Sequence, residues 1–121
     1  MSTSTLTGTT FEDTVTSNDI VLVDFWAAWC GPCRNFAPVY EAAAQDNPDI
    51  VFGKVDTEAE QALAGAAGIS SIPTLMAFRD GILVFSQPGA LPRTALDQVI
   101  EGVKGLDMDE VRASIAAEST K

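Results

Sequence analysis

Histidine is absent from the 121 residues of this chain, and cysteine occurs only twice. Without histidine, the commonest general base and metal ligand at neutral pH is missing. A zinc site needs four ligands, and a single cysteine pair supplies half of one, so no metal or other bound cofactor is expected. Basic residues are also few, 7 against 17 acidic ones, for a formal net charge of −10. Such a surface repels nucleic-acid phosphates and anionic lipid, so neither nucleic acid nor a membrane is expected as a partner. Long hydrophobic runs are lacking too. The longest, Ile20 to Cys30, is broken by Asp24 and is too short to cross a bilayer. The start, Met1-Ser2-Thr3-Ser4-Thr5, has no basic residue and no apolar stretch, so an export leader is not expected. Two cysteines without a secreted disulfide framework point to a reducing, cytoplasmic compartment.

What is present is enough for one folded domain. Hydrophobic residues make up 46% of the chain, which argues against disorder and for a core that needs no covalent help. Ile20-Val21-Leu22-Val23-Asp24-Phe25-Trp26 is a β-branched and aromatic run, the mark of a strand covered on both faces. Before it, Thr9 and Glu12 resemble a capping box opening a short helix that buries Phe11 and Val15. After it, Phe36, Val39, Tyr40, Ala43 and Ala44 recur at helical spacing, with Pro32 suited to the first turn and Pro38 set to kink the interior. A second strand over Ile50 to Val55 leads to an alanine-rich helix from about Ala59 to Ala67. Thr74 to Phe78 and Ile82 to Ser86 then read as strands joined by Arg79-Asp80-Gly81, where Asp-Gly favours a tight hairpin. Leu96, Val99, Ile100 and Val103 mark a further helix ending near Gly105. Parallel βαβ units followed by a hairpin and a helix give an α/β protein with a mixed sheet covered on both sides.

Both cysteines fall in Cys30-Gly31-Pro32-Cys33, directly after the first strand. So small a ring is a poor staple, because closing it removes only about 2 kcal/mol of unfolded-chain entropy. It is a good redox device. At the start of a helix Cys30 meets unpaired N–H groups and the positive end of the dipole, which favour its thiolate. Cys33, one turn further in and less exposed, is placed to attack the sulfur of Cys30. Asp24 is a carboxylate inside an apolar strand, and burial is expected to raise its pKa. It is either a core residue satisfied by hydrogen bonds, with Lys54 of the neighbouring strand as one candidate donor, or a functional acid.

The segment Val23-Asp24-Phe25-Trp26-Ala27-Ala28-Trp29-Cys30-Gly31-Pro32-Cys33-Arg34, followed by Ala37-Pro38, resembles the active-site signature of the thioredoxin family. Gly53-Lys54-Val55-Asp56, Gly68-Ile69, Ile72-Pro73-Thr74 and Gly89-Ala90-Leu91 resemble further landmarks of that family in the same order. The resemblance spans about residues 5 to 106. It implies a mixed five-stranded sheet flanked by four helices, and the residues beyond the usual end of the family read as an extra C-terminal helix. Residues 1–106 would be the thioredoxin domain and 107–121 a helical extension, with Asp107 and Glu110 as its cap and Met108, Val111 and Ile115 as its apolar stripe. It also implies protein-disulfide reduction by dithiol exchange, with the Cys30-Cys33 disulfide as the redox centre. A NADPH-dependent flavoprotein reductase would restore the dithiol, protein disulfides would be the substrates, and the protein is expected to be a monomer.

By the same resemblance Asp24 is a general acid/base for Cys33, acting through water, and Lys54 tunes it. Pro73 is a cis-proline beside the disulfide, and Ile72 offers backbone groups to an extended substrate. Trp29, Gly31, Pro32, Ile72, Pro73, Gly89 and Ala90 form an apolar substrate-binding rim, with Ser70-Ser71 and Pro88 beside it, whereas Trp26 belongs to the core. An oxidase or isomerase is disfavoured, since Gly31-Pro32 places no cation between the sulfurs. A binding or chaperone-like module without turnover is the other alternative, and such a module would not need Cys-x-x-Cys together with Asp24 and Pro73.

Overall fold

A computed structural model describes residues 2–119 of the chain. The elements run β1 (Thr3–Thr5), α1 (Phe11–Ser17), β2 (Ile20–Trp26), α2 (Gly31–Asp46) and β3 (Val51–Asp56). They continue with α3 (Gln61–Ala66), β4 (Thr74–Arg79), β5 (Ile82–Pro88), α4 (Arg93–Lys104) and α5 (Met108–Ser119). The strands form one five-stranded sheet in the order β1-β3-β2-β4-β5. β1, β3 and β2 are parallel, while β4 runs antiparallel to β2 and β5 antiparallel to β4. The expected mixed sheet and C-terminal helix are both present.

β2 is the central strand, and its alternation explains its composition. Val21, Val23 and Phe25 pack with Leu6, Val15, Val55 and Met76, against Phe11 of α1 and Leu63 of α3. Leu22 faces the other way, into Phe36 and Tyr40 of α2 and Leu96 and Ile100 of α4. Each such side chain, fully buried, contributes roughly 1.5–3 kcal/mol, so a strand with apolar residues on both faces belongs in the middle. Asp24 falls on the Leu22 face and is the exception there.

The hairpin forms as expected. Arg79 pairs with Ile82, and the two residues between them, Asp80 (φ 53°) and Gly81 (φ 80°), both take the left-handed backbone that a two-residue turn requires. Three details differ from expectation. The Thr9–Glu12 capping box does not form: Thr10 is the N-cap of α1 without a side-chain cap bond, and the N–H of Phe11 is taken by Thr7 O (2.9 Å). α3 starts later than expected because Asp56 Oδ1 accepts the N–H groups of Glu58 and Ala59 (2.9 and 3.3 Å), holding those residues in a turn. β1 has no local strand pattern: Thr3-Ser4-Thr5 is polar and gains its place by pairing with Phe52–Lys54 while Leu6 is buried behind it.

α5 is tied to the rest through the hairpin. Asp107 Oδ1 accepts the N–H groups of Asp109 and Glu110 (3.0 and 3.3 Å), which caps the helix. Arg112 pairs with Asp80 (2.8 Å), and Met108 is buried while Ile115 is 43% exposed. Arg79 donates to the carbonyls of Val103, Lys104 and Leu106, closing the end of α4.

Candidate active site

β2 ends at Trp26, and the chain turns through Ala27, whose carbonyl accepts the N–H of Cys30 (3.2 Å). Cys30 takes an extended conformation and becomes the N-cap of α2, with Pro32 in the first turn. Its sulfur does what a cap oxygen normally does, accepting the N–H of Cys33 (3.2 Å). α2 is continuous through Pro38. Cys30 and Cys33 are joined in a disulfide, with Cα atoms 5.2 Å apart. Both are buried, at 4% and 3% exposure, so burial does not separate them as expected. Access does: Cys30 lines an open cavity and Cys33 is not among its lining residues.

That cavity, of about 410 Å³, is lined by Trp29, Cys30, Gly31 and Pro32 on one side and by Thr57, Ala64, Ile69, Ser70, Ser71 and Ile72 on the other. Four of the expected rim residues, Trp29, Gly31, Pro32 and Ile72, therefore meet there. Trp29 is 67% exposed and its indole N–H donates to Glu58 Oε1, which holds a large apolar group at the lip. The Ile72–Pro73 bond is cis, as the family resemblance implies, and Ile72 O lies 3.7 Å from Cys30 Sγ. Pro73, Gly89 and Ala90 lie outside the cavity wall. Pro73 and Gly89 are tied to each other by a hydrogen bond from Gly89 N–H to Pro73 O (2.7 Å).

Asp24 is 1% exposed, and neither carboxylate oxygen has a hydrogen-bond partner among the described residues. Lys54, the candidate donor, does not satisfy that carboxylate. Burial pushes its pKa up from 3.8 to about 7, with the Lys54 charge pulling the other way. Lys54 sits across from it in the β2–β3 register, yet its ammonium lies over Trp26, 4.9 Å from the ring centroid. From α2, the Tyr40 hydroxyl donates to Gly53 O (2.8 Å). Burial, and then the Asp24 charge, hold that phenol well above its ordinary pKa. Trp26 and Ile72 pack against Ala27, Cys30 and Cys33, so Asp24 stands two residues along β2 from the group that surrounds the sulfurs.

Thr57, Glu58, Ala64 and Ile69 belong neither to the cysteine motif nor to the expected rim. Thr57 and Glu58 do carry a signal. They follow the carboxyl end of β3, and ligand sites in open parallel sheets collect at carboxyl strand ends. Among the described residues, no group of three or more histidine, cysteine, aspartate or glutamate side chains could hold a metal ion. No described helix is long and apolar enough to cross a membrane.

Comparison with known proteins agrees with this geometry. The thioredoxin family model matches residues 2–102. A putative thioredoxin 2 from Streptomyces coelicolor is 60% identical over 120 residues, covering 99% of this chain and 90% of the relative. A solved mutant thioredoxin from Halobacterium salinarum superposes with a TM-score of 0.80 at 39% identity, covering 86% of this chain and 92% of that one. A chain from a structural study of thiol resolving in yeast mitochondrial 1-Cys peroxiredoxin, via glutathione and thioredoxin systems, gives a TM-score of 0.75 at 32% identity. That match covers 86% of this chain and 95% of the other.

Proposed function

This chain belongs to the thioredoxin family and is a thiol-disulfide oxidoreductase working at Cys30 and Cys33, and from that premise we propose how its residues divide the reaction. In the reduced protein the Cys30 thiolate attacks one sulfur of a protein disulfide. A Cys30–substrate mixed disulfide forms and the other substrate sulfur leaves as a thiolate, which takes up a proton. Cys33 then loses its proton, attacks the Cys30 sulfur and re-forms the Cys30–Cys33 bond, and the second substrate thiol is released. Two electrons pass from the dithiol to the substrate.

The observation that carries this reading is the position of Cys30. Its sulfur caps α2, lines the cavity and faces the carbonyl of Ile72. Ile72 offers its backbone to an extended substrate segment as a short added strand. Trp29, Gly31 and Pro32 press on the segment's apolar side, and Pro73, Gly89 and Ala90 continue the contact beyond the cavity. Asp24 takes the Cys33 proton by way of water, and its pKa near 7 suits it to that exchange.

A NADPH-dependent flavoprotein reductase returns the disulfide to the dithiol, and the protein acts as a monomer in the cytoplasm. The peroxiredoxin study among the structural neighbours supports proteins with redox-active cysteines as the partner class. Residues 1–106 make the catalytic domain and 107–121 an appended helix. The test is a substrate trap. Cys33→Ser should accumulate mixed disulfides with a model protein disulfide, and Cys30→Ser should form none. With the parent protein, Asp24→Asn should slow release of the mixed disulfide near neutral pH by roughly tenfold or more. Unchanged release would remove Asp24 from the mechanism.

A further inference from the structure

Residues two apart on a strand share a face, as do residues paired across adjacent strands. Asp24 and Trp26 therefore stand side by side on β2, with Lys54 directly across from Asp24. The ammonium of Lys54 has a buried carboxylate on one side and an indole face on the other. It takes the indole, at 4.9 Å from the ring centroid, inside the ~6 Å range of cation–π attraction. No ion pair joins Lys54 to Asp24 among the described residues, and the carboxylate oxygens stay unpartnered. Desolvation explains the choice. Asp24 is buried, whereas Trp26 and Lys54 are only half-buried, so the ammonium keeps part of its water over the indole and would lose it beside the carboxylate.

We propose that Trp26 is a positioning residue for the exchange reaction: its indole holds the Lys54 ammonium and keeps it from closing onto Asp24. The proposal rests on the reading that Asp24 handles the Cys33 proton. The other groups facing Asp24 cannot substitute for this control. Tyr40, from α2, has its hydroxyl committed to Gly53 O, and β4 presents apolar Leu75 in register with Asp24. Asp56, across from Trp26, is occupied by the N–H groups of Glu58 and Ala59. Lys54 is the charge that can move. Lys54 already pulls the Asp24 pKa down from where it stands, and a cation brought within 4–6 Å lowers a carboxyl pKa by about 1–3 units, enough to leave Asp24 mostly ionised at neutral pH. Trp26 thus acts at one remove, through where it keeps a neighbour's charge.

The test is a titration of Asp24 by carboxyl carbon NMR in the oxidised full-length protein, aspartate-labelled, in four forms: unmodified, Trp26→Leu, Lys54→Met and the double variant. Trp26→Leu should lower the Asp24 midpoint by about one pH unit more when Lys54 is present than in the Lys54→Met background. Equal falls in both backgrounds would mean that the indole only excludes water, and no fall with Lys54 present would mean that it restrains nothing. Either result overturns the proposal. Should Trp26→Leu not fold, the unmodified protein still decides. The ε-methylene protons of Lys54 should be shifted upfield by the indole ring current, and ordinary lysine shifts there would refute the contact. If the midpoints move as expected while Asp24→Asn leaves release of the mixed disulfide unchanged, the hold of Trp26 on Lys54 stands and the proton role of Asp24 falls.

Discussion

The backbone N–H of Cys33 points at the sulfur of Cys30 from 3.2 Å, so the first turn of α2 supplies a donor to the atom that must carry negative charge once the disulfide opens. Helix geometry and redox chemistry are joined at that one contact. A helix terminus favours an anion whether the anion is a phosphate, a carboxylate or a thiolate.

Cys30 should therefore be the reactive thiol of the reduced protein. With limiting iodoacetamide near neutral pH, peptide mass mapping should find Cys30 alkylated at least about tenfold faster than Cys33. Preferential labelling of Cys33 would exchange the two roles.

Asp24 should make stability depend on pH in the direction opposite to most carboxylates. Its folded pKa is raised to about 7 by burial, against an unfolded value near 3.9. Between those values the folded chain keeps a proton that the unfolded chain has released, so stability falls as pH rises through this window. At roughly 1.4 kcal/mol per pH unit, the full effect is about 4 kcal/mol above neutrality and is absent below about pH 4. Asp24→Asn should accordingly be the more stable protein at about pH 8, and should lose that advantage toward pH 4. Urea midpoints across the range, with the disulfide intact, read this out. A pH-independent difference would locate the effect elsewhere.

Gly53 is held to glycine by its neighbour. A Cβ there would meet Leu6 Cδ1 at 2.5 Å and Cγ at 2.9 Å, and Leu6 is itself buried at the sheet edge. Gly53→Ala should destabilise the fold by about 1–3 kcal/mol. Combined with Leu6→Ala, the loss should be clearly less than the sum of the two single losses, because the clash is gone. Additive losses would assign the effect to β3 alone.

Removal of α5 should leave the chemistry intact. The helix is held by burial of Met108, worth roughly 1.5–3 kcal/mol, and by a half-exposed Arg112–Asp80 pair worth at most about 1 kcal/mol. A chain ending at Leu106 should fold, lose a few kcal/mol in a denaturant titration, and reduce a model disulfide at close to the full-length rate. Loss of reductase-driven recycling with the chemical step preserved would make α5 a recognition element, and loss of both would move the domain boundary.

β2, α2 and the Asp80-Gly81 hairpin were legible in the sequence because their signals are local and strong: a run apolar on both faces, a helical stripe, a turn dipeptide. β1 was not, since Thr3-Ser4-Thr5 has no apolar pattern and becomes a strand only through pairing with β3. The motif marks Cys30 and the family resemblance marks Ile72 and Ser70-Ser71, but Thr57, Ala64 and Ile69 join the same cavity only through the folding of β2 and β3 side by side. Lys54 shows the same limit at the scale of one side chain. Register brings it beside both Asp24 and Trp26, and nothing in the pattern of residues says that its ammonium lies over the indole.

The disulfide spans a sequence separation of 3, at the edge of the central strand and outside the two large apolar clusters. Folding and oxidation form a thermodynamic square, so whatever the bond adds to the stability of the fold must equal what the fold adds to the tendency of the bond to form. Because so short a loop contributes only about 2 kcal/mol, the fold favours the bond by roughly thirtyfold on this account and no more. Neither large apolar cluster contains the sulfurs, so the protein can give up the bond and regain it, turnover after turnover, without unpacking its core.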